Sequence, residues 1–214
     1  TTATAGGPVP PPAELITRME GAQRELSTLS AEFTQISRVK LFKQELRSTG
    51  RLLYEHPKSG AAKLRWEYFQ PDPSTMVLVG DEARLRMGDE KSQRPAQVFD
   101  MAKDRNLRAI FAQLRLWLGL GVAGSSLGAA DVAADYEMRS GGSIEQPTLI
   151  LLPKPTSVLG KAFTRVELTL DGRSYQLLRL LLVEQSGDEK EILFKAVKRN
   201  APLPRISDKD PFVL

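Results

Sequence analysis

His56 is the only histidine in the chain, so any catalysis or metal binding that needs an imidazole has to use it. A Ser-His-Asp triad would pair His56 with a nucleophile, and no part of the sequence supplies that pairing. One imidazole cannot provide a two-histidine metal site within one chain, and the absence of cysteine removes thiolate ligands, thiol catalysis and disulfides. We therefore predict no enzyme, no catalytic residue, no metal site and no cofactor.

Two further arrangements also lack the chemistry that they suggest. Gly119-Leu120-Gly121 has neither the third glycine nor the preceding strand of a dinucleotide-binding loop. Asp188 and Glu189 are neighbouring carboxylates, but Ser186-Gly187-Asp188 is turn sequence, so we expect them to be solvated.

The elements that could position a site belong to one globular domain. Of the 214 residues 41% are hydrophobic and 26% are charged, as in ordinary folded proteins. Residues 1–12 hold four prolines and two glycines without periodicity, which predicts a disordered N-terminal tail before a single domain at 13–214. No apolar run approaches the roughly 18 residues of a membrane span. Because the chain begins with Thr1 rather than Met, we expect a removed leader or a trimmed start.

The charge distribution argues against nucleic acid as a partner. The net charge is +4, and the basic residues are scattered singly along predicted strands, as at Arg65, Arg165 and Arg179. A nucleic-acid interface concentrates them on one face. Anionic membrane surfaces or acidic partners fit this pattern better.

Two amphipathic helices are predicted from apolar residues at spacings of three and four. The second is expected from Asn106 to about Leu118, followed by a flexible loop to Gly128. The first stripe comprises Leu15, Met19, Ala22, Leu26 and Leu29, and the second comprises Leu107, Ile110, Phe111, Leu114, Trp117 and Leu118.

Most of the remaining sequence alternates between apolar and polar residues, which predicts a mainly β fold of about ten or eleven antiparallel strands. Leu64 to Tyr68 is the clearest example, and Asp171-Gly172 is a hairpin signal. Val132–Met138 is a further predicted strand, and residues 211–214 are expected to add an edge strand. Periodicity leaves open whether the inward-facing Trp66, Tyr68 and Trp117 line a packed core or a cavity.

The order of several short motifs resembles the LolA family of periplasmic outer-membrane lipoprotein carriers, together with the related receptor LolB. The resemblance covers roughly residues 13–200. After the first helix the motifs are Phe33-Thr34-Gln35, Gly50-Arg51-Leu52-Leu53-Tyr54 with Pro57, Leu64-Arg65-Trp66-Glu67-Tyr68 with Pro71, Val77-Leu78-Val79-Gly80-Asp81, Leu151-Leu152-Pro153 and Asp171-Gly172.

This resemblance implies a half-open antiparallel β-barrel whose concave face is covered by the amphipathic helices. It implies a monomeric periplasmic carrier, with its signal peptide removed, that shields the acyl chains of lipoproteins. Its partners would be acylated lipoproteins as cargo, an ATP-driven transporter in the inner membrane and a lipoprotein receptor in the outer membrane. The lipid-binding cavity would be lined by Phe33, Leu52, Tyr54, Leu64, Trp66 and Tyr68. The lid would be formed by Leu15, Met19, Ala22, Leu26, Leu107, Ile110, Phe111, Leu114, Trp117 and Leu118.

Family carriers place an arginine before the proline that corresponds to Pro57, where it hydrogen-bonds to the lid. Here that position is His56. We therefore hypothesise that His56 is a pH-sensitive latch, because an unperturbed imidazole titrates near about pH 6.5; the alternative is a turn histidine without a role. The alternatives to a carrier are an outer-membrane-anchored receptor, a lipid-binding or lipoprotein-sensing paralogue and, least favoured, a lipid-ester hydrolase.

Overall fold

The computed structural model describes residues 8–89, 94–103, 128–157, 159–206 and 210–214. Two α-helices and eleven strands lie in this part of the chain, with one short 3-10 turn at Leu159–Lys161. The helices are α1 (Pro12–Arg24) and α2 (Ala129–Asp135). The strands are β1 (Thr28–Val39), β2 (Gln44–Glu55), β3 (Lys63–Gln70), β4 (Ser74–Val79), β5 (Glu82–Met87), β6 (Gln97–Asp100), β7 (Tyr136–Gly142), β8 (Pro147–Pro153), β9 (Phe163–Leu170), β10 (Leu177–Glu184) and β11 (Glu189–Arg199).

All eleven strands form one antiparallel sheet made of two meanders. Strands β1 to β6 follow one another outward from β1, and β11 back to β7 follow one another outward on its other side. Pairing of β1 with β11 joins the halves, with Phe33 opposite Phe194. Strands β6 and β7 are the two edges, so the sheet does not close. This confirms the predicted mainly β, half-open architecture.

The two faces of the sheet differ in chemistry. On the concave face, which α1 covers, apolar side chains from both meanders form one buried cluster with Leu15, Ile16 and Met19 of α1. On the convex face, carboxylates and guanidinium groups alternate across neighbouring strands. Arg179 on β10 pairs with Glu167 at 3.3 Å and with Glu191, which also pairs with Arg38 on β1 at 2.8 Å. The basic residues that are scattered in the sequence are therefore neutralised on this face.

The first helix is shorter than its apolar stripe. Helix α1 ends at Arg24, and Leu29 already lies in β1. The side chain of Asn200 donates to the Glu25 carbonyl and accepts the Ser27 amide, each at 2.8 Å. These hydrogen bonds satisfy backbone groups that another helical turn would have used, so the chain turns there. Leu26 is buried in that turn, not on the helix.

Two other predictions about elements were wrong. Val132 to Asp135 belong to α2, where alanine is a strong helix former and Asp131 accepts the Gly128 amide at 3.0 Å. The predicted hairpin at Asp171-Gly172 is confirmed, because these residues begin the loop 171–176 that joins the antiparallel strands β9 and β10. The predicted edge strand at residues 211–214 is absent among the described residues. The predicted second helix, Asn106 to Leu118, lies outside the described residues.

The C-terminal segment, residues 203–206 and 210–214, instead packs on the convex face. Ile206 and Phe212 bury Leu53 and Val77 there. Beneath the segment Arg65, only 1% exposed, donates to the Pro211 carbonyl at 3.0 Å and pairs with Glu67 at 3.1 Å. The apolar cover removes water from this ion pair, which makes the loss of either charge costly.

Among the described residues, no helix has the length and apolar character needed to cross a bilayer.

The ionised carboxylate of Glu67 makes the free energy of unfolding fall at acid pH. Burial raises the pKa of Glu67, but hydrogen bonds and charge from Arg65 and then Arg51 outweigh burial and leave the pKa below its ordinary value. The stabilisation is therefore present above the unfolded-state pKa of about 4.3 and is lost as the pH falls through the lower folded-state pKa. We expect Glu67→Gln to lower the free energy of unfolding at neutral pH by about 3 kcal/mol and to flatten its fall between about pH 5 and about pH 3.

Urea unfolding across that pH range measures both effects. Glu32→Gln is the control, because Glu32 is 63% exposed and lies 4.0 Å from Lys195. It should change the free energy by less than about 0.5 kcal/mol. Equal losses in the two variants would contradict the role given to Glu67.

Candidate functional site

The concave face brings together all six predicted cavity residues. Phe33, Leu52, Tyr54, Leu64 and Trp66 are buried, and Tyr68 is half-buried. Register explains their meeting, because Leu52 pairs with Trp66 and Tyr54 pairs with Leu64 across β2 and β3. Side chains directly opposite on one face of an antiparallel pair are in contact.

An aromatic cluster lies at the centre of this face. Ring centroids are 4.7 Å apart for Phe33 and Trp66, and 5.2 Å apart for Phe33 and Tyr68. Phe194 of β11 joins edge-on, 6.3 Å from Trp66. The sequence analysis missed Phe194, although its β-strand was expected; its position opposite Phe33 depends on the β1–β11 register, which no local pattern reveals.

The polar end of Tyr68 has a partner on the same face. Its hydroxyl donates to Gln35 Oε1 at 2.7 Å. Burial raises the pKa of Tyr68, against a smaller lowering by a hydrogen bond with Trp66, so the phenol stays protonated at neutral pH. The face therefore presents neutral groups, which suit apolar ligands better than ions.

Gly50 makes the close packing of the cluster possible. It lies between Phe33 and Tyr68 in the register, and an added Cβ would be 2.4 Å from Phe33 Cζ and 2.0 Å from the Glu67 carbonyl oxygen. Both distances are far below van der Waals contact, so only glycine lets the Phe33 ring lie over β2.

Helix α1 is the described part of the predicted lid. Leu15 and Met19 are buried as predicted, together with Ile16, which the stripe had omitted, and Ala22 is half-buried. One small space of about 10 Å³, enough for a single water, lies beside α1 between Met19, Ala22, Leu177 and Arg199. Here α1 is packed down on the sheet. The other predicted lid residues, Leu107, Ile110, Phe111, Leu114, Trp117 and Leu118, lie outside the described residues.

Polar contacts fasten the C-terminal half of α1 to the sheet and to the loop between β9 and β10. The guanidinium of Arg199, at the end of β11, donates to the Ala22 carbonyl and to Gln176 Oε1, the latter at 3.0 Å. Arg18 donates to the Tyr175 hydroxyl and to Glu14. Tyr175 is carried to the helix by the long loop from β9 to β10. An arginine therefore does contact a carbonyl of α1, but from the end of β11 rather than from the position before Pro57.

His56, the predicted latch, lies beside the turn that follows α1. Its backbone amide donates to the Ser27 carbonyl at 2.7 Å, and its ring is 6.5 Å from that of Tyr54. None of the hydrogen bonds or ion pairs among the described residues uses its imidazole. The latch role of His56 stays a prediction.

The described residues contain no group of three or more histidine, aspartate or glutamate side chains that could hold a metal ion.

One motif escaped the sequence analysis: Gly124-Ser125-Ser126-Leu127-Gly128 has the Gly-x-Ser-x-Gly spacing of a nucleophilic serine. Residues 124–127 lie outside the described residues.

The sequence matches no protein-family model and no curated protein. Among solved structures, the crystal structure of MucB is similar with a TM-score of 0.52 and 16% identity over 90% of this chain. This chain spans 60% of the MucB chain. At this identity the likeness concerns the fold.

Two further solved structures are similar at lower TM-scores. The Mycobacterium tuberculosis lipoprotein LppX has 12% identity and a TM-score of 0.49, with 90% of this chain and 97% of that chain covered. A LolA superfamily protein from Nitrosomonas europaea has 9% identity and a TM-score of 0.41, with 91% and 96% covered.

Replacing Gly50 with alanine should disrupt the aromatic cluster. We expect a loss of about 1–3 kcal/mol in the free energy of unfolding, because the new methyl group displaces Phe33 or the backbone of β3. Urea unfolding measures the loss, and near-ultraviolet circular dichroism reports the aromatic packing. Gly21→Ala is the matched control, since an added Cβ there meets nothing within 4 Å and favours the helix by about 0.5–1 kcal/mol. A neutral Gly50→Ala would contradict the packing argument.

Arg199→Met should loosen α1 while keeping most of the apolar stem of the side chain. Hydrogen exchange of the α1 amides, read by mass spectrometry, should become severalfold faster. Lys198→Met, an exposed neighbour on the same strand, should leave exchange unchanged.

His56→Ala tests the rival latch between about pH 5 and about pH 8. If the α1 amides exchange faster in His56→Ala but not in Arg199→Met, the latch is His56. If His56→Ala changes neither the exchange rate nor lipid binding, the histidine hypothesis is wrong.

Proposed function

We propose that this chain is a non-enzymatic lipid carrier of the LolA type, which holds the acyl chains of lipoproteins against the concave face of the sheet. The observation that carries the proposal is the buried aromatic and aliphatic face of an open sheet, covered by a helix that is fastened through a few polar contacts. An open sheet edge lets that face be uncovered without breaking strand pairing.

The free-energy cost of exposing acyl chains to water explains why such a carrier would be needed. Three acyl chains of about 16 carbons contain on the order of 40 methylene groups, and each costs about 0.8 kcal/mol to expose to water. Spontaneous transfer between membranes is therefore negligible. A protein that shields these chains and passes them on directly avoids the cost.

In this proposal the described conformation is the closed, unloaded one. The aromatic rings of Phe33, Trp66 and Tyr68 are in contact at the centre of the face, and Leu15, Ile16 and Met19 of α1 are buried against the same cluster. Cargo would enter when α1 lifts, with the rings of Phe33, Trp66 and Phe194 turning to line the acyl chains. Loading and unloading would then be controlled by the contacts of Arg199 and Arg18 with the helix and its neighbours.

The partners and location belong to the same proposal. The carrier would act in the periplasm, accepting lipoproteins from an ATP-driven inner-membrane transporter and passing them to an outer-membrane receptor. An outer-membrane-anchored receptor of the same fold is the second candidate from the sequence, and intact-mass analysis of the native protein separates the two, because the receptor carries a lipidated N-terminal cysteine.

A lipoprotein-sensing role, the third candidate from the sequence, would need a protein partner. MucB, the match with a TM-score of 0.52, has also been solved in complex with MucA. A sensor would use the same concave face for lipid and would pass the signal through a protein partner rather than through cargo delivery. Retention of bound lipid in the presence of acceptor membranes would distinguish the sensor from the carrier.

Mass spectrometry of organic extracts from gently purified protein tests the proposal. We expect phospholipid, fatty acid or triacylated peptide at a stoichiometry near one, together with displacement by a fluorescent fatty acid. Phe194→Leu removes one ring of the aromatic cluster and should weaken fatty-acid binding about two- to tenfold.

The control is Phe212→Leu, which removes a ring from the convex-face cluster. It should reduce stability but leave fatty-acid affinity unchanged. Equal affinity in wild type and both variants, or clean extracts with no fatty-acid binding, would refute the carrier. Ester turnover that is lost in Ser126→Ala would replace the carrier with the hydrolase alternative.

A further inference from the structure

The turn between β1 and β2 exposes large apolar side chains. In this hairpin tip, defined as residues 40–43, Leu41 is 82% exposed and Phe42 is 71% exposed. Leu46, on the adjoining part of β2, is 49% exposed. Single exposed apolar residues are ordinary on protein surfaces, but three within six positions of one protruding turn form a patch.

Unpaired positive charge surrounds this patch. Lys40 and Lys43 flank the two apolar residues, and neither ammonium group forms an ion pair with the described residues. Two of the nearby acids form ion pairs, and a third accepts a backbone amide. Glu45 pairs with Arg47 at 2.8 Å, Glu189 with Arg38 at 3.6 Å, and Asp188 accepts the backbone amide of Lys40 at 2.9 Å. Lys40 and Lys43 therefore place positive charge without an ion-pair partner on either side of Leu41 and Phe42, while Asp188, at the base of the hairpin, keeps its negative charge.

The tip also has a defined relation to the concave face. Leu46 pairs with Ser37, and Gly50 pairs with Phe33. Since side chains four residues apart on a strand share a face, Leu46 lies on the same face as the aromatic cluster, at its outer end. Strand β3 pairs with β2 only as far as Thr49, so the end of the β1–β2 hairpin extends beyond β3.

The base of the hairpin is held in place. Strand β1 pairs with β11 as far as Arg38 opposite Glu189, and Gly187 lies so close to the Lys40 side chain that an added Cβ would be 2.9 Å from Lys40 Cδ. A firmly held turn presents its apolar residues without an ordering cost at the time of binding.

From this geometry we infer that the hairpin tip is a membrane-docking element that inserts Leu41 and Phe42 into the interface of an anionic bilayer. Lys40 and Lys43 contact the lipid headgroups, each supplying electrostatic attraction to anionic lipid, while the two apolar side chains reach the acyl boundary. Docking places the outer end of the concave face at the membrane surface. The inference does not require that the concave face holds lipid.

A single fluorescent label tests insertion directly, because the chain has no cysteine. Leu41→Cys carries an environment-sensitive NBD probe at the tip, and Val98→Cys, on β6 and 60% exposed, carries the control probe. With vesicles of phosphatidylglycerol and phosphatidylcholine we expect the tip probe to brighten and shift to shorter wavelength. The Val98 probe should not change, and phosphatidylcholine vesicles alone should give a much weaker response.

Vesicle flotation of unlabelled protein measures the contributions of the two residue types. Leu41→Ser with Phe42→Ser should weaken binding at least about tenfold. Lys40→Gln with Lys43→Gln should weaken it at least about tenfold at low salt and less at high salt. Lys58→Gln with Lys198→Gln is the charge-matched control, and these exposed lysines lie away from the tip.

Two results would overturn the inference. One is a wild-type protein that does not float with anionic vesicles, which would assign the patch to a protein partner. The other is flotation that the Leu41→Ser, Phe42→Ser variant retains in full. Failure of lipid extraction or of fatty-acid binding would refute the carrier instead and would leave vesicle docking intact.

Discussion

Along β3, side chains alternate between the two faces of the sheet, so that Trp66 lies on the concave face while Arg65 and Glu67 lie on the convex one. The whole sheet repeats this separation of apolar and charged groups. An open sheet cannot hide its apolar face by closing on itself, so the face has to be covered by another element or by a ligand. The account of the protein depends on this requirement.

The two covers of the sheet are built differently. On the convex face, Phe212 and its neighbours pack over the buried ion pair of Arg65 and Glu67. Removing this cover would expose that ion pair to water. On the concave face, α1 covers neutral apolar groups, which a lipid could cover equally well. Exchange of the cover breaks no buried ion pair on the concave face, because α1 is held there by apolar contacts and by hydrogen bonds of Arg199 and Arg18.

Alternating patterns were sufficient to predict the type of fold and the inward residues of β2 and β3, where each strand is half-buried and the register is fixed by hydrophobic pairing. Local patterns failed where a distant contact decides the outcome. Asn200 ends α1 before its apolar stripe ends, and Phe194 reaches the aromatic cluster only because β11 pairs with β1. Arg199 was missed for the same reason, since its partner, the Ala22 carbonyl, is far away in sequence. The position of His56 was suggested by family resemblance, and its role remains a prediction.

Photocrosslinking tests most directly whether the concave face is the lipid site. A long-chain fatty acid with a diazirine at its apolar end would be bound, irradiated and located by peptide mass spectrometry. We predict adducts on peptides that contain Phe33, Trp66 or Phe194, and competition by unlabelled fatty acid. Adducts confined to the convex-face peptides around Phe212, or labelling that unlabelled fatty acid does not reduce, would contradict the account.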